Sequence, residues 1–413
     1  MFPTSKMNSL AQAPATPDSN KRFSARVEHT STRLRRILSL DDFEAAAKRY
    51  LPRPIFGYVS GAAEENLSLG WNRDVFSQWA LTPRVLVDVS ARTQEVELFG
   101  NKYASPFGIA PMGLSALTAY RGDIVQARAA KAAGIPMVLS GVSLIRLEEV
   151  FAEAPDTWFQ AYVPGDEARI RTLLARVQAA GCKTLVVTVD IPVLGNRENN
   201  VRSGFSAPLR PSLRLAWDGA IRPRWLFGTF IRTLLRHGMP HFENSFAERG
   251  APVLSSTVMR DYTARDHLNW SHLTLMRKLW KGPLIVKGIL NPADARLARE
   301  SGVDGLWVSN HGGRQLDGAV TALRMLPEIL EEAGGLSVIV DGGIRRGSDV
   351  LKALAAGASM VFVGRPFNYA SSVGGEAGVS HAIQLLRDEI DRNMAMLGVN
   401  RCSDLQSDLL RKW

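Results

Sequence analysis

The chain reads, from residue 305 to residue 317, Gly305-Leu306-Trp307-Val308-Ser309-Asn310-His311-Gly312-Gly313-Arg314-Gln315-Leu316-Asp317. The first four residues are apolar and predict a buried strand, and a polar loop follows where that strand ends. The loop combines a histidine that can accept a proton near neutral pH with an arginine whose planar fork matches a carboxylate. Its paired glycines allow a flat ligand to approach the main chain. The stretch therefore predicts a site at the carboxyl end of a buried strand.

Seven other apolar runs have the same strand character. The eight runs are 107–110, 137–140, 158–163, 185–189, 284–287, 305–309, 338–340 and 360–363. Amphipathic segments rich in Ala, Leu and Arg lie between them, for example at 124–133, 168–180, 292–300 and 348–356. About eight such alternating units predict an α/β protein with a (β/α)8 TIM barrel, whose active site lies at the carboxyl ends of the strands.

One interval, residues 203–262, is too long for an ordinary connection between the fourth and fifth strands and predicts an insertion. It is both basic and aromatic, with Arg210, Arg214, Trp217, Arg222, Arg224, Trp225, Phe227, Phe230, Arg232 and Arg236. This composition is typical of a helix that lies on anionic lipid. A surface helix packed on the barrel or on a neighbouring subunit is the alternative.

Composition limits the remaining choices. The 413 residues carry a formal net charge of +10, and the two cysteines, Cys182 and Cys402, form no metal or redox motif. No nucleic-acid recognition motif accompanies the positive charge, so we expect an acidic membrane surface and no nucleic acid as partner. No apolar run reaches the roughly 18 residues of a spanning helix. These features leave two locations open, the cytoplasm or the inner face of the cell membrane.

The ends of the chain differ in character. Residues 1–37 are rich in Ser, Thr, Ala, Pro and basic residues, and they predict a disordered basic tail. A mitochondrial targeting segment is the alternative, because acidic residues are sparse there. Residues 38–413 are expected to form the barrel, with Asp41 and Asp42 capping a first helix that runs to Tyr50.

Two glycine-rich loops after the last two strands indicate a phosphate site. They read Asp341-Gly342-Gly343-Ile344-Arg345 and Gly364-Arg365-Pro366. The loops after strands seven and eight of TIM barrels commonly bind phosphate, because glycines expose backbone N–H groups and a helix N-terminus adds its dipole. Together with the polar residues that follow the other strands, these loops predict one convergent site on the rim of the barrel.

These same motifs, with the stretch from Ser309 to Asp317, resemble those of the FMN-dependent L-2-hydroxy-acid dehydrogenases and oxidases, which include glycolate oxidase, flavin-type lactate dehydrogenase and mandelate dehydrogenase. The resemblance runs from about residue 40 to the C-terminus, except for 203–262. It implies FMN as cofactor, no metal, and a homotetramer. The residues it implies at the cofactor are Pro111, Met112, Gly113, Ser140, Gln160, Thr188, Lys287, Ser309, Asp341, Gly342, Gly343, Arg345, Gly364 and Arg365.

The resemblance also implies the chemistry. Arg197, Arg314, Tyr58 and Tyr162 match the residues that bind the substrate. His311 matches the base and Asp190 its carboxylate partner, so the expected catalytic residues are His311, Asp190, Tyr162 and Arg314. A 2-hydroxy acid would be oxidised to the 2-keto acid, with two electrons passing to FMN.

The electron acceptor and the substrate side chain are left open by the sequence. Gly113 stands where many oxidases of the family have alanine, and it resembles the membrane-linked lactate and mandelate dehydrogenases. We therefore expect membrane quinone as acceptor. A soluble oxidase that reduces oxygen to hydrogen peroxide is the alternative. A non-catalytic flavin-binding barrel is disfavoured, because every position needed for base, carboxylate clamp and cofactor is filled. Lactate, mandelate and longer 2-hydroxy acids all remain candidates.

Overall fold

Eight parallel strands form a barrel in the computed structural model, which describes residues 32–163, 165–257 and 265–413. We number them β1 Phe107–Ile109, β2 Val138–Ser140, β3 Trp158–Tyr162, β4 Leu185–Thr188, β5 Leu284–Ile289, β6 Gly305–Val308, β7 Ser337–Asp341 and β8 Met360–Val363. Neighbouring strands pair in parallel from β2 round to β8 and then β1, and a bridge between Ile109 and Met137 links β1 to β2. The predicted TIM barrel is confirmed.

Helices surround the barrel and precede it. Three lie before β1: α1 Asp42–Tyr50, α2 Arg53–Ser60 and α3 Leu67–Ser77. The outer ring contains α4 Gly122–Ala133, α5 Leu147–Glu153, α6 Glu167–Ala179, α7 Trp270–Leu279, α8 Pro292–Glu300, α9 Ala322–Ala333, α10 Gly347–Ala355 and α11 Arg365–Leu397. Short antiparallel strand pairs, Trp79–Leu81 with Leu410–Lys412 and Val96–Leu98 with Asn101–Tyr103, complete the surface.

Large side chains fill the barrel interior, so it is a packed core and not a pore. Trp158, Trp307 and Phe362 are at most 2% exposed, and the rings of Trp307 and Phe362 lie 4.4 Å apart. A second apolar layer packs between strands and helices. With the interior filled, a ligand can be received only at the ends of the strands.

The loop after β6 holds the N-terminal helices over the carboxyl ends of the strands. The Asp317 carboxylate accepts hydrogen bonds from backbone N–H groups at the start of α3, those of Leu67 and Ser68, and from that of Glu65. The side-chain amides of Asn310 and Asn72 form a reciprocal pair at 2.9 and 3.0 Å. The stretch that predicts the site therefore also fastens α3 to the barrel.

The predicted tail boundary at residue 37 is wrong. Leu34 and Ile37 are 4% and 5% exposed, and the Ile37 carbonyl accepts a hydrogen bond from His381 on α11. Apolar burial therefore begins by residue 34, while residues 1–31 lie outside the described residues. The predicted helix to Tyr50 is present, but its capping differs from the expectation. The Asp41 side chain makes no cap bond, and Asp42 instead accepts from the N–H groups of Leu38 and Ser39.

The predicted insertion is helical over much of its described part, 203–257. After helix Glu198–Ser203 come Leu213–Ala220, Pro223–Trp225, a π-helical turn at Leu226–Ile231, and Arg232–His237. Residues 258–262 lie outside the described residues.

One face of the insertion packs on the barrel. Trp225 is 7% exposed, and its indole donates to the Leu117 carbonyl at 2.7 Å. The Tyr120 hydroxyl lies 2.9 Å from His237 Nε2, and the Arg232 guanidinium lies 3.9 Å above the Tyr120 ring. Because the side chain of Trp225 is buried against the barrel, it does not face the solvent as a lipid anchor would, and the prediction from composition is wrong for this residue.

Candidate active site

A cavity of about 280 Å³ opens at the carboxyl ends of the strands. Most of the residues that the sequence predicts for the site line it: Tyr58, Pro111, Met112, Gly113, Gln160, Tyr162, Thr188, Arg197, Lys287, His311, Arg314, Asp341, Gly342, Gly343, Arg345, Gly364 and Arg365. Side chains as far apart in sequence as Tyr58 and Arg365 meet here because parallel strands present their carboxyl ends to one rim.

His311 and Asp190 form a hydrogen-bonded pair at the site. His311 Nδ1 lies 3.0 Å and 3.1 Å from the two carboxylate oxygens of Asp190. A proton on Nδ1 is donated to the carboxylate, which leaves Nε2 as an acceptor. Burial, together with the charges of Lys287 and Arg197, lowers the pKa of His311 although Asp190 opposes the shift. Burial alone would raise the pKa of the Asp190 carboxyl. The charge of His311 and its hydrogen bond act in the opposite direction, and the pKa lies below its usual value. A neutral base beside a carboxylate is the arrangement that proton abstraction requires.

A left-handed backbone conformation aims the histidine. His311 has φ +57°, which is uncommon for a residue with a side chain. Its N–H donates to Ser309 Oγ at 3.0 Å, and the following Gly312 and Gly313 continue the positive φ. The predicted glycines therefore let the chain turn sharply at the base.

Two serines that the sequence predicts at the cofactor lie behind the cavity wall. Ser309 Oγ accepts from Lys287 Nζ at 2.7 Å and donates to Asp341 at 2.5 Å, while Lys287 and Asp341 are themselves paired at 2.9 Å. Ser140 Oγ donates to the Gln160 side-chain oxygen at 3.3 Å. Both serines are at most 2% exposed. In this arrangement they position Lys287, Asp341 and Gln160, which do line the cavity.

The wall nearest these serines carries polar atoms that lack partners in the protein. Gln160 Nε2 and Thr188 Oγ1 are buried and have no hydrogen-bond partner among the described residues. Buried donors are normally satisfied, so unpaired ones on a cavity wall indicate a polar ligand. Beside them stands the Lys287 ammonium, which can balance negative charge. This set matches the polar edge of an isoalloxazine ring.

The other end of the cavity is suited to a phosphate. Gly342 and Gly343 have φ values of +98° and +80°, and a Cβ at Gly343 would lie 1.7 Å from the Asn72 carbonyl oxygen. Only glycine fits this turn. Burial lowers the pKa of Arg345, and the neighbouring charge of Arg365 lowers it further. Two partly buried guanidinium groups of like charge are stabilised by an anion. The residues present therefore fit FMN.

The two arginines predicted to clamp a carboxylate both line the cavity. Arg314 Nη1 donates to the carbonyls of Tyr58 and Gly61, at 2.9 and 2.6 Å, and thereby caps the C-terminus of α2. Arg197 donates from Nε to the Arg314 carbonyl at 3.1 Å and from Nη2 to Gln315 at 2.7 Å. Burial lowers the pKa of Arg314, with the charge of Arg197 next in importance. A substrate carboxylate would relieve this repulsion.

Sequence reasoning missed several residues of the cavity wall. Phe205 stacks on Tyr58 with ring centroids 4.4 Å apart, and Asn200, Ser206, Arg265 and Asn368 also line the cavity. Most of them come from the insertion or its flanks, where no periodic pattern shows which side chains face inward. Leu114 and Val142 contribute apolar side chains to the same wall.

Comparison with known proteins agrees with this geometry. The family model described as FMN-dependent dehydrogenase matches residues 47–412. The L-lactate dehydrogenases of Caulobacter vibrioides and Ectopseudomonas mendocina are 40% and 42% identical over 379 and 386 residues, which cover 91% of this chain and 97% and 99% of those proteins. The crystal structure of the monotopic membrane protein (S)-mandelate dehydrogenase superposes with a TM-score of 0.84 at 35% identity, covering 91% of this chain and all of that one.

These matches confirm the resemblance inferred from the motifs, and with it the FMN cofactor and the oxidoreductase class. They cover nearly all of the described residues from α1 onward, including every residue predicted for the site. The chain belongs to the FMN-dependent dehydrogenase family.

Proposed function

We propose that this FMN-dependent dehydrogenase oxidises an L-2-hydroxy acid to the 2-keto acid and passes the electrons to membrane quinone. The observation that carries the proposal is that His311, whose Nδ1 lies 3.0 Å from Asp190, lines the same cavity as Arg197 and Arg314. Substrates of this class carry both a carboxylate to be clamped and a proton to be removed. The named relatives, L-lactate and (S)-mandelate dehydrogenases, act on such acids.

The residues divide the work as follows. Arg314 and Arg197 hold the substrate carboxylate, which fixes the orientation of the α-carbon. His311 Nε2 takes up a proton, and Asp190 stabilises the imidazolium that results. Lys287 stands where it can balance negative charge that develops on the cofactor. FMN, when bound, accepts the two electrons of the oxidation.

The first test is anaerobic. We expect at least one acid among L-lactate, L-mandelate and longer L-2-hydroxy acids to bleach the flavin absorbance of the purified protein. On addition of an acceptor, a soluble quinone analogue should restore the absorbance much faster than dissolved oxygen does. Rapid reoxidation by oxygen with formation of hydrogen peroxide would favour the soluble oxidase instead, and no bleaching by any of these acids would contradict the proposed chemistry.

The outer face of the insertion supports a membrane location. Leu213 and Trp217, one helical turn apart, are 92% and 67% exposed, and Phe227 and Leu235 in the next helices are 64% and 82% exposed. Exposed arginines lie among them at 214, 224, 232 and 236. In the described part of the chain, no helix is long and apolar enough to cross a bilayer. Apolar side chains beside cations are typical of a segment that rests on anionic lipid.

We propose that this surface, Leu213, Trp217, Phe227 and Leu235 with the four arginines, binds the inner face of the cell membrane and brings the enzyme to its quinone. A homotetramer, as the family resemblance implies, is also proposed. Light scattering of the purified protein would measure it.

Substitution of the exposed apolar residues tests the membrane proposal. The variant Leu213→Ser, Trp217→Ser, Phe227→Ser should co-sediment poorly with vesicles of phosphatidylglycerol and phosphatidylcholine, because burial of each such side chain contributes about 1.5–3 kcal/mol. Deletion of the whole insertion is less informative, since Phe205 and Ser206 of the insertion line the cavity. Anaerobic flavin reduction by substrate should persist.

The matched control replaces three exposed apolar residues outside the insertion, Leu38, Leu86 and Met396, by serine. This control should sediment with vesicles as the parent does. If both variants bind equally well, the outer face of the insertion has another role, such as contact between subunits.

A further inference from the structure

Gln315 belongs to the loop that carries the proposed base, yet its side chain faces another loop. It directly follows Arg314 in the stretch that predicts the site. The described residues that line the cavity do not include Gln315, so neither the substrate nor the cofactor accounts for its amide. Its contacts lie instead with residues 189–197, which we call the β4 loop because they follow β4. The β4 loop carries Asp190 and Arg197.

The amide of Gln315 forms hydrogen bonds with three residues of the β4 loop. Its Oε1 accepts from Arg197 Nη2 at 2.7 Å. Its Nε2 donates to the carbonyls of Asp190 and Val193, at 3.1 and 3.3 Å. A guanidinium can only donate and a carbonyl can only accept, so these partners fix which end of the amide faces which group. Both ends of the side chain are therefore bound to the β4 loop.

The two loops also meet through their main chains. Arg197 Nε donates to the Arg314 carbonyl at 3.1 Å. A Cβ added at Gly195 would lie 2.6 Å from the carbonyl oxygen of Arg314 and 2.7 Å from that of Gln315, so only glycine allows this approach. Because the loops are in such close contact, a shift of one is transmitted to the other.

The partners of Gln315 belong to two different tasks of the proposed reaction. Arg197 is to hold the substrate carboxylate, and its bonds to Gln315 and to the Arg314 carbonyl use the edge formed by Nε and Nη2. The edge formed by the two terminal nitrogens can then face a carboxylate. Asp190 is to stabilise protonated His311, and its carboxylate lies 3.0 Å from Nδ1 of that residue. One amide therefore contacts both a substrate-binding residue and the partner of the base.

We propose that Gln315 is a positioning residue that couples the carboxylate clamp to the proton acceptor. Through Oε1 it orients the Arg197 guanidinium, and through Nε2 it holds the main chain of Asp190 in place beside His311. The inference rests on the proposed 2-hydroxy-acid oxidation, and it adds a residue that acts through others and touches neither substrate nor cofactor.

Replacement of Gln315 by methionine tests the proposal, because methionine keeps the side-chain length and removes all three hydrogen bonds. The FMN-loaded protein is reduced anaerobically in a stopped-flow instrument. The reductant is the acid among L-lactate, L-mandelate and L-2-hydroxyhexanoate that bleaches the wild type fastest. We expect the dissociation constant to rise on the order of tenfold, because Arg197 loses its orientation. The limiting rate constant should fall about tenfold or more, because Asp190 shifts beside the base.

The matched control makes the same substitution on the outer helices. Gln178 on α6 donates to the Leu279 carbonyl at the end of α7, at 3.0 Å. Gln178→Met therefore also removes an amide hydrogen bond to a carbonyl, but it should change neither the dissociation constant nor the limiting rate constant.

A double variant distinguishes positioning from general support of the fold. Arg197→Met should itself weaken substrate binding. Adding Gln315→Met should weaken binding little further, because no guanidinium remains to be oriented, but it should still lower the limiting rate constant through Asp190. If Gln315→Met does not fold, Gln315→Glu replaces it. Glutamate keeps the acceptor for Arg197 and loses the Nε2 donor, so the limiting rate constant should again fall.

The outcomes separate this inference from the reaction on which it rests. Wild-type constants in Gln315→Met would overturn the inference, as would losses of binding that multiply in the double variant. An unchanged limiting rate constant in Gln315→Glu would likewise contradict the role at Asp190. A wild-type flavin that none of the three acids reduces would contradict the 2-hydroxy-acid chemistry itself.

Discussion

Replacing His311 by glutamine should abolish flavin reduction by substrate while FMN stays bound. Glutamine can occupy the same space and hydrogen-bond to Asp190, but it cannot accept a proton at neutral pH. Loss of a general base typically lowers a rate by about 10² to 10⁴-fold. The measurement is the first-order rate of anaerobic flavin bleaching at saturating substrate. The FMN content of the variant, read from its absorbance after purification, should equal that of the wild type.

The pH dependence of the wild type gives an independent check. Only neutral His311 can act as a base, and burial lowers its pKa below the 6.5 of a free histidine. Bleaching should therefore remain fast through pH 6.5 and decline only at lower pH. A glutamine variant that bleaches at nearly the wild-type rate would show that His311 is structural and that another group removes the proton.

Replacing Arg314 by lysine should lower kcat/KM on the order of 10²-fold, because hydrogen bonds to a charged group are each worth about 1.5–3 kcal/mol. The guanidinium already uses Nη1 to cap α2, at 2.6 Å from the Gly61 carbonyl and 2.9 Å from that of Tyr58. Its planar fork leaves a second edge for the substrate. A lysine ammonium is a compact charge without a planar fork. It can therefore hydrogen-bond to the carbonyls at the end of α2 or to the substrate carboxylate, but it cannot bind both at once.

Steady-state kinetics and thermal unfolding together distinguish these roles. The lysine ammonium could still hydrogen-bond to the carbonyls at the end of α2 and yet no longer bind the substrate carboxylate. In that case the midpoint temperature of thermal unfolding should change little, while KM rises and kcat falls. Unchanged kinetics would place the clamp on Arg197 alone. A large loss of thermal stability with unchanged kinetics in the folded fraction would instead make Arg314 a scaffold residue.

The barrel could be predicted because buried parallel strands carry short, continuous apolar runs. Seven of the eight predicted runs end within one residue of the end of the observed strand, and the remaining one, at β5, ends two residues before it. The site could be predicted because its residues sit directly after those runs, as His311 and Asp341 do. What made the prediction specific was the resemblance of the loops to a known family, since single polar residues after strands have many uses.

The rest depends on tertiary packing that leaves no local pattern. Ser309 follows a strand as the cofactor residues do, yet its hydroxyl is taken up by Lys287 and Asp341. Trp225 lies in a segment with the composition of a lipid anchor. Only its hydrogen bond to the Leu117 carbonyl shows that its side chain faces the barrel. Arg265 lies outside every strand and motif, so nothing in the sequence places it on Tyr162.

The loop from 309 to 317 has a consequence for how this enzyme can evolve. Asn310 and Asp317 fasten α3 and Arg314 caps α2, while His311 between them is the proposed base. Selection for activity and selection for a folded barrel therefore act on the same few positions. Such a loop cannot drift neutrally, and a new specificity cannot arise there without loss of the scaffold. Variation among descendants of this chain should accumulate instead on the exposed outer face of the insertion, where side chains can change while the loop from 309 to 317 stays intact.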